Sequence, residues 1–248
     1  MRESNLTRLT AFFRISILTY TFLLTTGCAS NQLHHTDHND PLESYNRVMY
    51  SINDTVDSAI LKPVSQGYNF VVPSLVSKGI SNFFSNLDDI NVVVNDLLQF
   101  KLMQALHDAS RFAINSTVGL VGIVDVASNY GFIKHNEDFG QTLGSWGMNT
   151  GPYIVLPLFG PSDLRDTIGL IGDRTYTNPI GHVDDIAARN AFIITDTVDS
   201  RAGLLSAEKI IDEAAFDKYT FVKDAYLQRR QNLVYDGEPP EKFDVFEE

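Results

Sequence analysis

The chain has one cysteine in 248 residues, Cys28, which excludes an intramolecular disulfide and any multi-cysteine zinc or iron–sulfur site. Positive charge is scarce: 19 Lys and Arg stand against 31 Asp and Glu, a formal net charge of -12. Such a chain offers no basic footprint for phosphate backbones, so nucleic acid is not expected as a partner. No apolar run reaches the ~20 residues of a bilayer-spanning helix, and mean hydropathy is close to zero, which argues against a polytopic membrane protein.

Catalytic templates are missing as well. There is no Gly-x-Ser-x-Gly elbow and no His-Glu-x-x-His, so hydrolase and metalloprotease patterns both fail. Asp138-Phe139-Gly140 matches the magnesium tripeptide of kinases, but no glycine-rich loop, strand lysine or His-Arg-Asp precedes it. The adjacent carboxylates Asp88-Asp89 and Asp184-Asp185 diverge by about 100 degrees on a helix, so neither pair shares a proton, and they read as caps and solvated faces. Arg165-Asp166 sits at a helix start where an anionic head group could bind, with a structural ion pair as the plainer reading. A non-enzyme with no cofactor and no bound metal is expected.

What is present is unevenly spread. Charged residues number 17 in 1–108, only 5 in 109–162 and 28 in 163–248. Ten of the 16 glycines fall between Gly119 and Gly172. From Phe112 to Ile133 the one charge is Asp125, and from Phe139 to Ser162 there is none. Glycine and proline break both stretches, and interrupted backbone is tolerated at membrane depth only where protein or a polar cavity satisfies its amides. A buried core loop region is the alternative reading of the same composition.

The N-terminus carries Arg2, Arg8 and Arg14 before a short apolar stretch from Ile15 to Leu24, the layout of a secretory signal. Leu24-Thr25-Thr26-Gly27-Cys28 follows and resembles a bacterial lipoprotein processing box, which makes residues 1–27 a signal peptide and Cys28 the lipidated N-terminus. The alternative is a chance cysteine behind an ordinary cleavable signal. Acyl chains at ~0.8 kcal/mol per buried methylene would make that attachment effectively permanent. Residues 28–39 read as a polar tether, and His34, His35 and His38 on it as solvated rather than metal-binding.

The body, residues 40–236, reads as helical. Asp40-Pro41-Leu42-Glu43 predicts a capped start, with Tyr45, Met49, Ile52, Val56 and Ala59 on one face until Lys62-Pro63 ends the run. A helix after Pro73 is expected to bury Val76, Ile80, Phe83, Phe84 and Leu87, and another after Asp88 to bury Ile90, Val93, Val94, Leu97 and Leu98. The run from Lys101 to about Thr117 presents Leu102, Leu106, Ala109, Ala113 and Ser116. Gly119 and Gly122, three apart, allow close approach to a neighbour. Ser162-Asp163 restarts a capped helix, and Ile186, Phe192, Ile193, Leu204, Leu205, Ile210, Tyr219, Val222, Tyr226 and Leu233 are the expected later core faces. Residues 237–248 read as a disordered acidic tail.

In order along the chain, Asp40-Pro41-Leu42-Glu43, Asn46-Arg47, Asn53, Asp57, Lys62-Pro63, Asn82-Phe83-Phe84, Asn86-Leu87, Arg111-Phe112 and Asn115-Ser116-Thr117 resemble the MlaA (VacJ) family of outer-membrane lipoproteins. The resemblance continues through Asp125-Val126-Ala127, Asp138-Phe139-Gly140-Gln141-Thr142-Leu143-Gly144, Gly151-Pro152-Tyr153, Leu156-Pro157, Gly160-Pro161-Ser162 and Arg165-Asp166. It implies a single all-α, ring-like domain with an amphipathic central channel, anchored in the periplasmic leaflet of a Gram-negative outer membrane. It implies phospholipids as cargo, removed from the outer leaflet and passed to a soluble periplasmic carrier of the Mla system, and a trimeric porin as neighbour. Gly119, Gly122, Phe132, Ile133, Tyr153 and Leu156 are the candidates for the channel or membrane-facing region, with plain core as the alternative for each. A porin scaffold without transport and a lipid-modifying hydrolase or transferase are the competing functions.

Overall fold

A computed structural model describes residues 40–240. Cys28, the tether with its three histidines and the acidic end from 241 onward lie outside the described residues. The described chain is all-α apart from one hairpin: α1 Glu43–Val56, α2 Lys62–Val71, α3 Ser74–Leu98, α4 Leu102–Thr117, α5 Phe139–Ser145, β1 Tyr153–Leu156, β2 Gly160–Asp163, α6 Leu164–Gly172, α7 Ile186–Ala214 and α8 Lys218–Val234. The two strands pair antiparallel, Tyr153 opposite Asp163 and Leu156 opposite Gly160.

Several local expectations are corrected. Helix α1 begins at Glu43 with no side-chain cap. Asp40 is instead fully buried, accepting hydrogen bonds from Asn46 Nδ2 at 2.9 Å and from the Tyr219 hydroxyl, while Glu43 pairs along the helix with Arg47. A carboxylate given internal donors is worth more inside than as a solvated cap. Lys62-Pro63 does not end the run either. A π-helical turn at Asp57–Leu61 precedes α2, whose first turn holds Pro63. The wider turn absorbs the hydrogen bond that proline lacks the N–H to make. The two helices expected on either side of Asp88 are one, α3: Asp88 is no cap but pairs with the Lys134 ammonium at 3.0 Å, and its buried neighbour Asp89 takes the same ammonium at 2.6 Å.

The larger correction concerns polarity. Helix α4 runs as expected, but it buries Ala105, Asp108, Arg111 and Asn115 and exposes Leu102 and Leu106. On α7, Ile186, Phe192, Ile193, Leu204 and Ile210 are exposed rather than core. On α8, Tyr219 is buried as expected, together with Lys223 and Arg230. Among the described residues, 20 polar or charged side chains are buried against 8 apolar ones. On α4 and α7 the helical spacing holds and the apolar face is the outer one.

Hydrogen bonds and ion pairs fill the inside. Asn46 and Asn53, seven residues apart on α1, both reach the hairpin: Asn46 donates to Tyr153 O and accepts from Val155 N, and Asn53 donates to Leu156 O and accepts from Leu158 N. Arg230 of α8 forks onto Asp138, which caps α5, and onto Asp166 of α6. The Tyr226 hydroxyl donates to Asp166 at 2.7 Å, and Arg165 pairs with the same carboxylate at 2.9 Å. This is where the kinase-like tripeptide belongs: Asp138 is a cap and an Arg230 partner, and a Cβ at Gly140 would lie 2.5 Å from Asp166 Oδ1. Arg201 of α7 grips Asp57 in the π turn through two bonds of 2.7 Å.

The charge-poor segment after α4 is tied down from within. Arg111 donates to Ser128 Oγ, Phe132 O and Asp125. Asn115 donates to Asp125 and accepts from Val126 N and Ala127 N. Burial opposes ionisation of Asp125, but hydrogen bonds from Ser128, Arg111 and Asn115 outweigh it and hold its pKa at about 2.

Two expectations follow. Arg230→Ala leaves the Asp138 and Asp166 carboxylates without their shared cation and should cost about 3–5 kcal/mol, the usual penalty for stranding buried charge; denaturant unfolding in detergent measures it, and a loss below about 1 kcal/mol would sink the assignment. An unfolded aspartate titrates near 4, so ionised Asp125 stabilises the fold above about pH 4 and that contribution disappears as pH falls from about 4 to about 2. Asp125→Asn should lower the unfolding midpoint at neutral pH and flatten the acid limb between those values, and an unchanged limb would contradict the role.

Candidate functional site

With the polar groups inside, the outside carries the apolar load. Phe70, Leu75, Phe100 and Met103 are 80–91% exposed. After α4, the segment 118–124 turns Val118, Leu120, Val121, Ile123 and Val124 outward. Tyr130, Ile133, Trp146, Leu158 and Phe159 are exposed as well. Exposed apolar area on this scale is stable against hydrocarbon and unstable against water. Among the described residues, no helix is long and apolar enough to cross a membrane.

The 118–124 turn is built for this presentation. Leu120 and Val121 take positive φ of 54° and 60°, which is strained for a β-branched valine. Gly122, at φ 90°, then brings its backbone onto α3, where a Cβ would lie 2.6 Å from Asn86 Cβ. The close approach expected at Gly119 and Gly122 is therefore made by a turn and not by a helix. At Gly119 a Cβ would meet the Val124 carbonyl at 2.2 Å.

Between α3 and α7 lies a cleft with two kinds of wall. Its apolar part, about 760 Å³, is lined by Leu75, Val76, Gly79, Ile80, Phe83 and Phe84 of α3, Ile123 of the turn, and Ala188, Ala191, Phe192 and Thr195 of α7. The Phe83 and Phe192 rings stack with centroids 6.1 Å apart. Phe84 also lines a polar part of about 430 Å³, with Ser81, Ser85, Asp88, Lys134, Asp196, Asp199, Ser200 and Gly203. Here Lys134 holds Asp88 at 3.0 Å and Asp89 at 2.6 Å. Asp199 accepts from Tyr68, Ser77 and Ser81. Burial, with Asp199 and Asp88 nearby, pushes the Asp196 carboxyl up. The larger volume falls in the range of ligand pockets, about 300–1,000 Å³. The two cavities share Phe84, so an apolar wall lies beside charged and hydroxyl groups, a pairing matched to an amphiphile.

The residues named from sequence are dispersed around this cleft. Gly119 and Gly122 are buried and position the turn. Phe132 is half-buried, its ring 5.0 Å from that of His107, and Ile133 is 71% exposed. Tyr153 is 1% exposed and belongs to the core with Val155 and Tyr219. Leu156 is half-buried on β1, beside a smaller pocket that Arg230 and Asp138 also line. Of the charge-poor middle, Ile123 and Lys134 are the residues that line the two parts of the cleft. Sequence reasoning missed Leu75, Gly79 and Ala191, and read Val76, Ile80, Phe83, Phe84 and Phe192 as core. The signal was on the neighbouring face of α3: Asn86, Asp89 and Asp96 recur at helical spacing and turn inward, which leaves the adjoining apolar stripe to line the cleft.

The family model described as MlaA lipoprotein matches residues 38–233. The chain is 33% identical over 229 residues to the intermembrane phospholipid transport system lipoprotein MlaA of Escherichia coli (strain K12), covering 91% of this chain and 90% of that one. It is 33% identical over 217 residues to the protein of the same name from Haemophilus influenzae, with 86% of each covered. A solved chain from work on the structural basis for maintenance of bacterial outer membrane lipid asymmetry superposes with a TM-score of 0.69 at 32% identity, covering 79% of this chain and 98% of its own length. The chain belongs to the MlaA lipoprotein family.

Proposed function

We propose that this chain is an intermembrane phospholipid transport lipoprotein that helps maintain outer-membrane lipid asymmetry, and that the α3–α7 cleft is the path its cargo takes. The observation that carries this reading is the pairing of an apolar trough with a charged, hydroxyl-lined end at Phe84. Moving a two-chain phospholipid through water exposes roughly 30 methylenes, about 25 kcal/mol at ~0.8 kcal/mol each. A conduit lowers that barrier by keeping the tails against Leu75, Ile80, Phe83 and Phe192 while the head group meets Ser81, Ser85, Lys134 and Asp196. No bond is made or broken, and no catalytic group is needed.

The rest of the proposal concerns placement. Cys28 carries the lipid anchor, the exposed apolar surface sits in the periplasmic leaflet of the outer membrane beside a trimeric porin, and cargo passes to a soluble periplasmic carrier. The amphipathic channel implied by the family resemblance is, in this reading, the α3–α7 cleft.

Lipidated protein reconstituted with a porin in liposomes, scored for labelled phospholipid delivered to a soluble acceptor, tests the path. Ala191→Trp places a bulky ring in the trough and should reduce transfer at least about fivefold, while Asn190→Trp, exposed on the same helix and absent from the lining, should leave it unchanged. Equal effects of the two, or no gain over porin alone, would defeat the conduit reading. A pure scaffold would bind porin and behave identically whether or not the trough is filled.

A further inference from the structure

We infer that His107, Asp108 and His135 form a site for a divalent transition metal of the zinc type, which fastens the segment 131–138 to α4. The three residues present ligand atoms that all lie within 4.8 Å of one another. His107 and Asp108 are neighbours on α4, and His135 comes from the segment before α5. Imidazole and carboxylate together suit Zn²⁺ and its neighbours in the first transition row better than Mg²⁺ or Ca²⁺, which prefer all-oxygen shells.

Two buried atoms stay unsatisfied beside the His135–Asp108 hydrogen bond, and these point to an ion. His107 Nδ1 and Asp108 Oδ1 are both buried and both lack a hydrogen-bond partner. They face each other at 3.6 Å, too far for a hydrogen bond. Ligand bonds of about 2.0–2.2 Å at tetrahedral angles set donor atoms about 3.3–3.6 Å apart, so one ion bound by both atoms accounts for the separation and satisfies both groups. The third member, His135 Nδ1, lies 2.8 Å from Asp108 Oδ2. Its partly exposed imidazole exchanges that hydrogen bond for the shared ion and leaves the remaining coordination position to water.

The surroundings hold the ligands in place, as outer-shell partners do around metals. Phe132 packs its ring on His107. Arg111 holds the Phe132 carbonyl and Lys134 holds Asp89 on one side of His135, while Glu137 binds Lys101 and Gln99 on the other. Gln104 bridges Asp96 and Glu137, two further carboxylates that favour a cation nearby. The pinned segment carries exposed Ile133 and follows exposed Tyr130, so the ion would set how this stretch meets its surroundings.

The test uses the full-length lipoprotein in detergent, stripped with chelator and titrated with Co²⁺ alone, with Zn²⁺ as competitor. The tether histidines are removed in a His34→Ala/His35→Ala/His38→Ala background. One Co²⁺ per chain with visible absorption of a low-coordinate site, displaced by Zn²⁺, is expected in that background. His135→Ala, at a partly exposed position that the fold tolerates, should weaken binding at least about 100-fold while circular dichroism is unchanged. Zn²⁺ should also slow amide exchange in 131–138 of the parent and not of His135→Ala. Absence of saturable binding, binding that disappears with the tether histidines, or binding that persists in His107→Ala/His135→Ala would each overturn the site.

Discussion

The fold depends on satisfied charge in a water-poor interior. Where the exterior faces hydrocarbon, burying more hydrocarbon gives little advantage, because a lipid tail is as apolar as a leucine side chain. What holds helices together must then be polar pairing and close packing. Arg230 ties α8 to α5 and α6, Arg111 ties α4 to the segment behind it, Lys134 ties that segment to α3, and Arg201 ties α7 to the π turn. Each cation meets at least one carboxylate, since low dielectric strengthens the attraction and equally penalises a missing partner.

That arrangement explains what the sequence disclosed and what it concealed. Helix spans were legible from spacing: α4 and the cap of α6 at Asp163 appear where periodicity and capping placed them. Facing was not: Leu102 and Leu106 lie outside while Asp108 and Arg111 of the same helix lie inside, so the apolar-inward rule inverts. Asp40 misled as well: an aspartate before Pro41 is a good cap, whereas here Asn46 and Tyr219 supply donors inside. The cleft was half legible. Of the charge-poor middle, Ile123 and Lys134 line the cleft, and most of the wall comes from α3 and α7, which long-range packing alone brings together.

The relatives are phospholipid transport lipoproteins, and the cleft between α3 and α7 has the two-sided lining that an amphiphile requires. The strained turn at Leu120–Val121 contributes to both surfaces: it turns those two side chains outward and, through Gly122 and Ile123, sets its backbone against Asn86 and closes one edge of the trough. The strain is held by the polar clamp of Arg111 and Asn115 behind it.

The amides of Asn46 and Asn53 have a consequence of a different kind. A two-stranded hairpin leaves an open flank whose unpaired backbone groups can recruit a strand from another molecule. Along β1, Asn46 occupies Tyr153 O and Val155 N, and Asn53 occupies Leu156 O and Leu158 N. The Asn46 side chain thus stands in for part of a third strand on that flank and closes it to newcomers, while Asn53 holds the turn that follows β1. On a crowded membrane surface, where copies of one protein are held at the same height and meet often, this denies them a route to edge-to-edge association.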